Sequence, residues 1–332
     1  MPKTEKIEQN IALYRKYRPE TFEDVIGQDH IVKAIEGAFE SGKVAHAYLR
    51  SGPRGTGKTT IARIIARTLG SSVNDIYEMD AASNRKIEDA RDIRESVRTM
   101  PFDSKYKVYI LDEVHMLTKE AWNALLKTIE EPPAHVIFIL ATTELEKVPE
   151  TIVSRCQTFV FKKPTDAILA EVITRVAKKE GYTLAEGGAE LIALLASGAF
   201  RDALGTLQKV ISYSKDKKIA LKEIESVTGA PEASLVHSFL DALASSDIEK
   251  GYTAIRTASE QNIEMLIFLK MILAKLRYAL MLRYAPDSAN YLSEKISAGE
   301  LKYLQTLISS KPIHISSVSL SVLLDTYQSL RT

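Results

Sequence analysis

The stretch from Gly52 to Thr60, which reads GPRGTGKTT, constrains the fold of this chain more than any other segment. It fits the pattern G-x-x-x-x-G-K-[ST], in which glycines let backbone N–H groups approach anionic phosphate oxygens closely. In this pattern Lys58 reaches the β- and γ-phosphates of a nucleotide, and the Thr59 hydroxyl binds Mg²⁺. The alternative is a glycine-rich turn that binds no ligand, and the flanking residues decide between the two.

The flanking residues favour a phosphate-binding loop. Ala47 to Leu49 is a short apolar segment typical of a strand. After the loop, apolar residues recur at helical spacing, namely Ile61, Ile64, Ile65 and Leu69. A strand, a glycine-rich loop and a helix in this order bring a helix N-terminus, with its free N–H groups, beneath the phosphates. The sequence therefore predicts a nucleotide-binding α/β domain.

A second segment, Val108 to Leu111 followed by Asp112 and Glu113, supports this prediction. A short apolar run of this kind is typical of a buried parallel strand. Ligands of open α/β sheets bind at the carboxyl ends of the strands. Asp112 is therefore suited to the magnesium shell, and Glu113 is suited to orient or deprotonate an attacking water. The alternative is a strand end with two solvated acids, which the preceding phosphate loop disfavours.

The pattern of the chain predicts an α/β domain followed by helical domains. Five strand candidates alternate with helical segments in the first part: Ala47–Leu49, Ile76–Met79, Val108–Leu111, Val136–Ala141 and Phe159–Phe161. This alternation implies a parallel sheet with helices on both faces. Beyond Pro164 the pattern is helical only, and a second break lies near Pro231. We therefore expect an α/β domain at 1–163, a small helical domain at 164–226 and a C-terminal helical domain at 227–332.

Composition narrows the class of protein further. A chain of 332 residues is expected to form two or three domains. No apolar run approaches the roughly 18 residues of a membrane span, and the polar start from Met1 to Glu8 predicts no secretory signal. The single cysteine, Cys156, fits a reducing compartment, so we expect a cytoplasmic protein. Because the net charge is only +1, any nucleic-acid site needs a local cluster of basic residues.

Several further sequence segments, taken together with the phosphate loop and the two acids, resemble the motifs of a known protein family. The segments are Tyr14 to Pro19, Val25 to Gln28, His46 to Leu49, Asp80 to Ser83, Asp112 to Leu117, Ala124 to Pro133, Ala141 to Thr143, Ser154 to Cys156 and Arg201 to Leu204. As a set they resemble the bacterial clamp-loader ATPases of the DNA polymerase III gamma/tau family, within the AAA+ superfamily. The resemblance covers residues 10–210, and it implies an AAA+ P-loop domain, a helical lid domain and a helical collar domain.

The resemblance implies roles for particular residues around bound ATP and Mg²⁺. The nucleotide-binding residues would be Gly52, Pro53, Arg54, Gly55, Thr56, Gly57, Lys58, Thr59, Thr60 and Asp112, with Val25 and Ile26 beside the adenine. Thr143 would sense the γ-phosphate, with Thr142 as the alternative. Arg155 would be an arginine finger for a neighbouring subunit, as its planar charge suits phosphoryl transfer. Arg201 would be a second sensor; the alternative is an ion pair with Asp202 or another acid.

The resemblance also implies partners. They would be delta-like and delta-prime-like subunits, further copies of this chain, a sliding clamp and primer–template DNA, with no membrane. Four basic residues match positions that face the DNA channel of similar clamp loaders: Lys86, Arg91, Lys127 and Lys147. Contacts of this kind bind phosphates without reading sequence. Each of these residues is otherwise an ordinary solvated surface charge.

Two departures from the family pattern have consequences. Bacterial members usually carry a four-cysteine zinc module after the phosphate-loop helix, but the segment Gly70 to Asp75 has no cysteine, so we expect no zinc. Arg50 stands in the first strand where the family usually has an apolar residue. A charge there is costly unless it is paired, so we expect Arg50 to pair or to reach solvent.

Three functions compete at this stage. The first is an ATP-hydrolysing clamp-loader motor, in which ATP binding opens the clamp and hydrolysis releases it on primed DNA. The second is a structural clamp-loader subunit, but Lys58, Thr59, Asp112 and Glu113 are all present, which favours hydrolysis. The third is another AAA+ machine, such as a branch-migration motor or a protein remodeller. The long C-terminal helices favour a collar over the winged helix or pore loop of such machines.

Overall fold

The computed structural model describes residues 11–84, 86–293, 296–309 and 314–330. The stretch from Met1 to Glu8, for which the sequence predicts no signal, lies outside the described residues. The chain forms two compact units. The first contains Met1–Ile168 and Gly198–Arg201, and the second contains Leu169–Ser197 and Asp202–Thr332.

The first unit alternates strands and helices along the chain, as the sequence predicts. Its strands are β1 (Ala47–Ser51), β2 (Ile76–Asp80), β3 (Lys107–Asp112), β4 (Val136–Thr142) and β5 (Gln157–Val160). Its helices are α1 (Leu13–Lys16), α2 (Asp29–Glu40), α3 (Lys58–Thr68), α4 (Ile87–Ser96), α5 (Lys119–Glu130) and α6 (Glu150–Val153). Each strand candidate is therefore confirmed, with bounds that differ by one or two residues.

The five strands form one parallel sheet in the order β2-β3-β4-β1-β5. The register pairs Ser51 at the end of β1 with Thr142 at the end of β4. It also pairs Asp80 at the end of β2 with Asp112 at the end of β3. The carboxyl ends of the strands thus meet at one edge, which is where parallel sheets bind ligands.

Two apolar layers cover the sheet, one on each face. Because successive side chains of a strand point to opposite faces, β1 contributes Leu49 to one layer and Tyr48 to the other. Helices α4 and α5 pack on the Leu49 face, where Trp122 is buried. Helices α2 and α3 pack on the Tyr48 face, where Ile61 is buried. Both faces of the central strands β1, β3 and β4 are therefore buried, which explains their mostly apolar sequences, whereas the edge strands β2 and β5 are partly exposed.

The second unit is helical. Its elements are α7 (Asp166–Lys179), β6 (Thr183–Leu184), α8 (Gly188–Leu195), α9 (Phe200–Tyr213), β7 (Lys218–Ile219), α10 (Leu221–Thr228), α11 (Ala233–Ser245), α12 (Ile248–Glu260), α13 (Met265–Tyr284), α14 (Ser288–Ser293), α15 (Ala298–Ser309) and α16 (Ser317–Ser329), of which α7 and α9 begin in the first unit. The two-residue strands β6 and β7 pair in parallel, whereas the sequence predicts only helices here. Within the described part of the chain, no helix has the length and apolarity to cross a membrane.

A buried aspartate organises the short connection between α3 and β2. The Asp75 carboxylate is fully buried and accepts hydrogen bonds from the backbone N–H groups of Phe102 at 2.5 Å and Asp103 at 2.9 Å. The hydroxyl of Ser72 donates to it at 3.2 Å. Burial alone disfavours the charged form, but these donors outweigh it and lower the pKa of Asp75 to about 2. One side chain thus joins residues 72–75 to the loop before β3.

We expect Asp75→Asn to lower the free energy of unfolding by about 1–3 kcal/mol at neutral pH, because an amide cannot accept all of these bonds. The pKa is lower in the folded state than its ordinary value of 3.8, so the carboxylate stabilises the fold fully above that value. This contribution is lost as the pH falls towards about 2. Urea unfolding across this pH range measures it. The exposed Asp103→Asn is the control, with an expected change below about 0.5 kcal/mol; equal effects of the two variants would contradict the assignment.

Candidate nucleotide site

The predicted phosphate loop lies between β1 and α3, and its glycines are required by geometry. Gly52 has φ +144°, and a Cβ atom there would lie 2.5 Å from the carbonyl oxygen of Phe161. Gly55 has φ +75°, and a Cβ there would lie 2.8 Å from the Cβ of Ala199. Gly57 has φ +102° immediately before α3, with open space where a side chain would be. The loop therefore depends on these glycines, and it is open at the start of the helix.

Lys58 is the first residue of α3 and folds back over the loop. Its Nζ donates to the carbonyl oxygens of Gly52 at 2.7 Å and Pro53 at 3.0 Å. Burial lowers the pKa of Lys58, while the nearby carboxylates of Glu113 and Asp112 act in the opposite direction. The other loop residues of the predicted set, Arg54, Thr56 and Thr60, surround this turn, and the Thr56 hydroxyl donates to Pro53 at 2.9 Å.

Thr59 and Asp112 meet at the carboxyl edge of the sheet. The Thr59 hydroxyl donates to Oδ2 of Asp112 at 2.6 Å. The other carboxylate oxygen, Oδ1, accepts the backbone N–H of Glu113 at 3.0 Å. Asp112 is the last residue of β3, and Thr59 lies in the first turn of α3. The structure thus brings together two residues that lie 53 positions apart, as the sequence predicts for a shared magnesium site.

Glu113 has an unusual backbone and faces a group of polar side chains. Its φ is +50°, in the left-handed region that non-glycine residues seldom adopt. Its Oε2 accepts a hydrogen bond from the Thr143 hydroxyl at 3.3 Å, and it lies 3.6 Å from Nδ1 of His115. Nε2 of His115 lies 3.2 Å from the Glu144 carboxylate. The candidate base and the candidate sensor are therefore in direct contact.

The alternative sensor, Thr142, occupies a different position. It is fully buried at the end of β4, and its hydroxyl lies 3.1 Å from Nδ1 of His115. It also donates to the backbone carbonyl of Glu144 at 3.1 Å. Thr142 therefore supports His115, whereas Thr143 contacts Glu113 itself. The sequence pattern gives no signal for this contact of His115 with Thr142 and Glu113.

Arg201 lies beside the N-terminal segment of the nucleotide unit. Its guanidinium stacks over the ring of Tyr14, with 5.6 Å from Cζ to the ring centroid. The backbone N–H of Phe200, one residue earlier, donates to the Gly55 carbonyl of the phosphate loop at 3.0 Å. Among the ion pairs of the described residues, none joins Arg201 to Asp202 or to another acid, so the alternative role of an ion pair is not seen. The first residue of α9 thus contacts the phosphate loop, and the sequence alone does not indicate this contact.

Val25 and Ile26 lie in a half-buried turn before α2. Val25 packs against the apolar layer on the Tyr48 face of the sheet. Gln28 secures this turn, since its buried amide donates to the carbonyl of Lys162 at 2.7 Å. Lys162 follows Phe161, which contacts Gly52 of the loop. The apolar turn is thus tied to the same region as the phosphate loop.

Arg155 lies at the surface and is paired within its own chain. Its side chain is 41% exposed, and Nε lies 2.8 Å from Oε1 of Glu130. One terminal nitrogen also donates to the Thr151 carbonyl at 2.7 Å. No group of the phosphate loop is among these contacts. Glu130, at the end of α5, is the partner that the sequence does not identify.

The four basic residues matched to DNA contacts are all exposed. Lys86 precedes α4, Arg91 lies in α4 and Lys127 lies in α5, on the same covered face of the sheet. Lys147 follows β4 and pairs with Glu144 at 2.7 Å. These positions are compatible with phosphate contacts, and Lys147 additionally touches the acid that binds His115.

Arg50 departs from the expectation that it would reach solvent or pair with an acid. Its side chain has 0% exposure, and the guanidinium donates to the backbone carbonyls of Lys58 and Ile139. Reaching solvent is prevented because β1 lies between two other strands and beneath α3. Backbone carbonyl groups, rather than a carboxylate, therefore accept hydrogen bonds from the two terminal nitrogens of Arg50.

The residues present fit a nucleoside triphosphate with Mg²⁺. The first N–H groups of α3 have no partner within the helix, and Gly57 leaves space in front of them. Lys58 supplies a cation, and the oxygens of Thr59 and Asp112 are of the kind that Mg²⁺ prefers. Among the described residues, no three His, Cys, Asp or Glu side chains form a metal cluster of their own. Phosphate oxygens would therefore have to complete the shell of a magnesium ion.

Comparison with solved structures finds proteins of similar fold. The chain resembles RuvB of Thermotoga maritima, titled a Holliday junction branch migration motor, with a TM-score of 0.55 and 25% identity. The match covers 75% of this chain and 86% of that one. With the parallel sheet, the phosphate loop and the adjacent acids Asp112 and Glu113 at the end of β3, this likeness places the chain in the class of AAA+ P-loop proteins.

Comparison with curated sequences identifies the family. The chain is 37% identical over 313 residues to DNA polymerase III subunit gamma of Buchnera aphidicola, covering 85% of it, and therefore belongs to the DNA polymerase III gamma/tau family. It is 39% identical over 310 residues to subunit tau of Bacillus subtilis. The chain spans about half the length of such longer relatives, 55% in this case. A family model described as DNA polymerase III, delta subunit, matches residues 71–165, which begin after the phosphate loop.

Proposed function

We propose that the chain is an ATP-hydrolysing motor subunit of a DNA clamp loader. The observation that carries this proposal is the meeting of Thr59 and Asp112 at 2.6 Å, beside Lys58 and Glu113, in a member of the gamma/tau family. A subunit with a purely structural role has no need for this complete set. ATP would be the substrate, and Mg²⁺ held by Thr59 and Asp112 would neutralise charge on its phosphates.

Each of the remaining residues would have a separate role in hydrolysis. The loop amides from Gly52 to Thr60 would hold the phosphates, and Lys58 would leave the carbonyls of its own loop to reach them. Glu113 would orient the attacking water, and Thr143 would report on the γ-phosphate. Because Glu113 contacts Thr143 directly, a change at either side chain affects the other.

Assembly would complete the site. Arg155 would leave Glu130 and enter the nucleotide site of a neighbouring subunit, and its surface position supports this role. The partners would be delta-like and delta-prime-like subunits, further copies of the chain, a sliding clamp and primer–template DNA. Residues 164–226 would act as a lid, and residues 227–332 would form an oligomerisation collar. Lys86, Arg91, Lys127 and Lys147 would contact DNA phosphates.

A branch-migration motor is the second candidate, since the fold resembles RuvB. The described C-terminal residues form helices up to α16, of which α13 has 20 residues, and this favours a collar. Sequence similarity to gamma and tau subunits extends over 87% of the chain, which also favours the clamp loader.

An ATPase assay with defined partners distinguishes the two candidates. The chain is assembled with delta-like and delta-prime-like subunits, and hydrolysis is measured with sliding clamp plus primed DNA, or with four-way junction DNA. We expect severalfold stimulation by clamp plus primed DNA only. Lys58→Ala is the control, and it should abolish nucleotide binding because the loop loses its only lysine. Stimulation by four-way junctions instead would contradict the clamp-loader function.

A further inference from the structure

Arg50 is a buried charge beneath the phosphate loop. It is the fourth residue of β1, on the same face of the sheet as Tyr48 and therefore on the side covered by α3. It is the largest of the fully buried side chains of the described chain, with 0% exposure. The phosphate loop begins two residues later, at Gly52. The guanidinium thus lies inside the unit, behind the loop rather than in front of it.

The contacts of Arg50 leave its charge without a direct counter-ion. One terminal nitrogen donates to the Lys58 carbonyl, in the first turn of α3, and the other donates to the Ile139 carbonyl at 3.4 Å. The Nε atom is buried and has no hydrogen-bond partner in the described part of the chain. Burial lowers the pKa of Arg50 to about 9, against the attraction of Asp112 and Glu78, so the side chain stays cationic at neutral pH.

A buried cation of this kind disfavours the fold unless something compensates for its lost hydration. Glu78 is itself held by Arg63 at 2.5 Å, so it is not free to pair with Arg50. An apolar side chain at this position would avoid the desolvation cost, and such replacements are commonly neutral or stabilising. The charge is therefore difficult to explain as a stabilising feature of the fold alone.

The electrostatics of the loop suggest what the charge does. Burial has the largest effect on the pKa of Lys58 and lowers it. The carboxylates of Glu113 and Asp112 raise this pKa, and the cations of Arg50 and Arg201 lower it. Arg50 also binds the Lys58 carbonyl directly, at a helix N-terminus that has a positive dipole end of its own. A polyanion is attracted to these cations, and a charge buried in low dielectric acts on that anion with little screening by salt.

We propose that Arg50 is a positioning residue of the phosphate site, which fixes the first turn of α3 to the sheet and adds a permanent positive field for polyphosphate ligands. This inference rests on the nucleotide binding proposed above. It differs from the roles proposed for the loop residues, because Arg50 acts from behind the backbone without touching the ligand. Its effect should increase with the negative charge of the ligand.

The test compares two neutral replacements with a matched control. Arg50→Met removes the charge and the donors, whereas Arg50→Gln removes the charge but keeps an amide donor for a carbonyl. Arg67→Met is the control, since it removes one exposed arginine charge from the same helix α3 and leaves the pair of Arg63 and Glu78 intact.

Two measurements are made on each full-length variant: thermal unfolding without nucleotide, and binding of ATP, ADP and AMP by titration calorimetry. For Arg50→Met and Arg50→Gln we expect the unfolding temperature to stay close to that of the wild type, because relief of the buried charge offsets the loss of bonds to the Lys58 and Ile139 carbonyls. We expect ATP affinity to fall by about tenfold, with smaller losses for ADP and the smallest for AMP. Arg67→Met should stay close to the wild type.

Two outcomes would overturn the inference. One is unchanged ATP affinity in both neutral variants; the other is a loss that is equal for ATP, ADP and AMP and accompanied by a lower unfolding temperature, as a merely structural residue would give. Should Arg50→Met fail to fold, Arg50→Gln decides by the same criteria. A wild-type chain that binds none of the nucleotides would instead reject the proposed function, and this inference with it.

Discussion

Arg155→Ala should lower ATP hydrolysis by the assembled complex about a thousandfold, while each subunit still binds ATP. The reason is that the guanidinium would stabilise charge on the phosphoryl group of the neighbouring subunit only while that group is being transferred. The structure is compatible with this role because Arg155 is 41% exposed and lies on the surface with Glu130. Hydrolysis is measured with clamp and primed DNA, and binding is measured by titration calorimetry.

Two controls accompany this prediction. Arg67→Ala removes another exposed arginine, on α3, and should leave hydrolysis unchanged. Glu130→Gln removes the acid that holds Arg155 and should also leave the complex active, because the finger has to leave Glu130 in any case. An isolated, strictly monomeric chain that hydrolyses ATP as fast as the complex would count decisively against a finger acting between subunits.

Glu113→Gln should slow hydrolysis by about a hundredfold to ten-thousandfold, the usual contribution of general acid–base catalysis. ATP binding should remain, since Lys58, Thr59 and Asp112 are unchanged and an amide has the size of the carboxylate. The variant should therefore trap ATP on the complex, with the clamp held and not released. Single-turnover hydrolysis and retention of radiolabelled ATP during gel filtration measure these two effects.

The matched control for this variant is Glu146→Gln, an exposed glutamate in the turn after β4. It makes the same chemical change close to the site, without contact to Glu113. We expect wild-type hydrolysis from it. Near wild-type turnover by the Glu113→Gln protein would contradict the role proposed for Glu113. The neighbouring His115 would then be the next candidate for orienting the attacking water.

The sheet and the phosphate loop could be predicted because local sequence determines both. Apolar runs such as Val108 to Leu111 have no stable place except a buried strand, and the glycines of Gly52 to Gly57 are needed for positive φ values. The meeting of Thr59 and Asp112 follows from the same reasoning, because parallel strands and the loop share one edge.

The rest of the site depends on contacts between distant residues, which a single sequence does not specify. Glu130 and Arg155 are 25 positions apart on different elements, and neither has a local pattern that indicates the other. The contact of Phe200 with Gly55 depends on how α9 begins, far along the chain. Arg50 was recognisable as unusual from the sequence, but its burial became clear only with the packing of α3 above it.

The fold-back of Lys58 has a consequence for the release of products. Its amine has two acceptors within its own loop, the carbonyls of Gly52 and Pro53. Departure of the proposed nucleotide would therefore not leave this ammonium group unsatisfied, and we expect a lower barrier to exchange than for a lysine with no alternative acceptor. An ATPase that exchanges ADP for ATP in every cycle benefits from such alternative acceptors within its own loop, because fast exchange of the nucleotide matters more to it than tight binding of ADP.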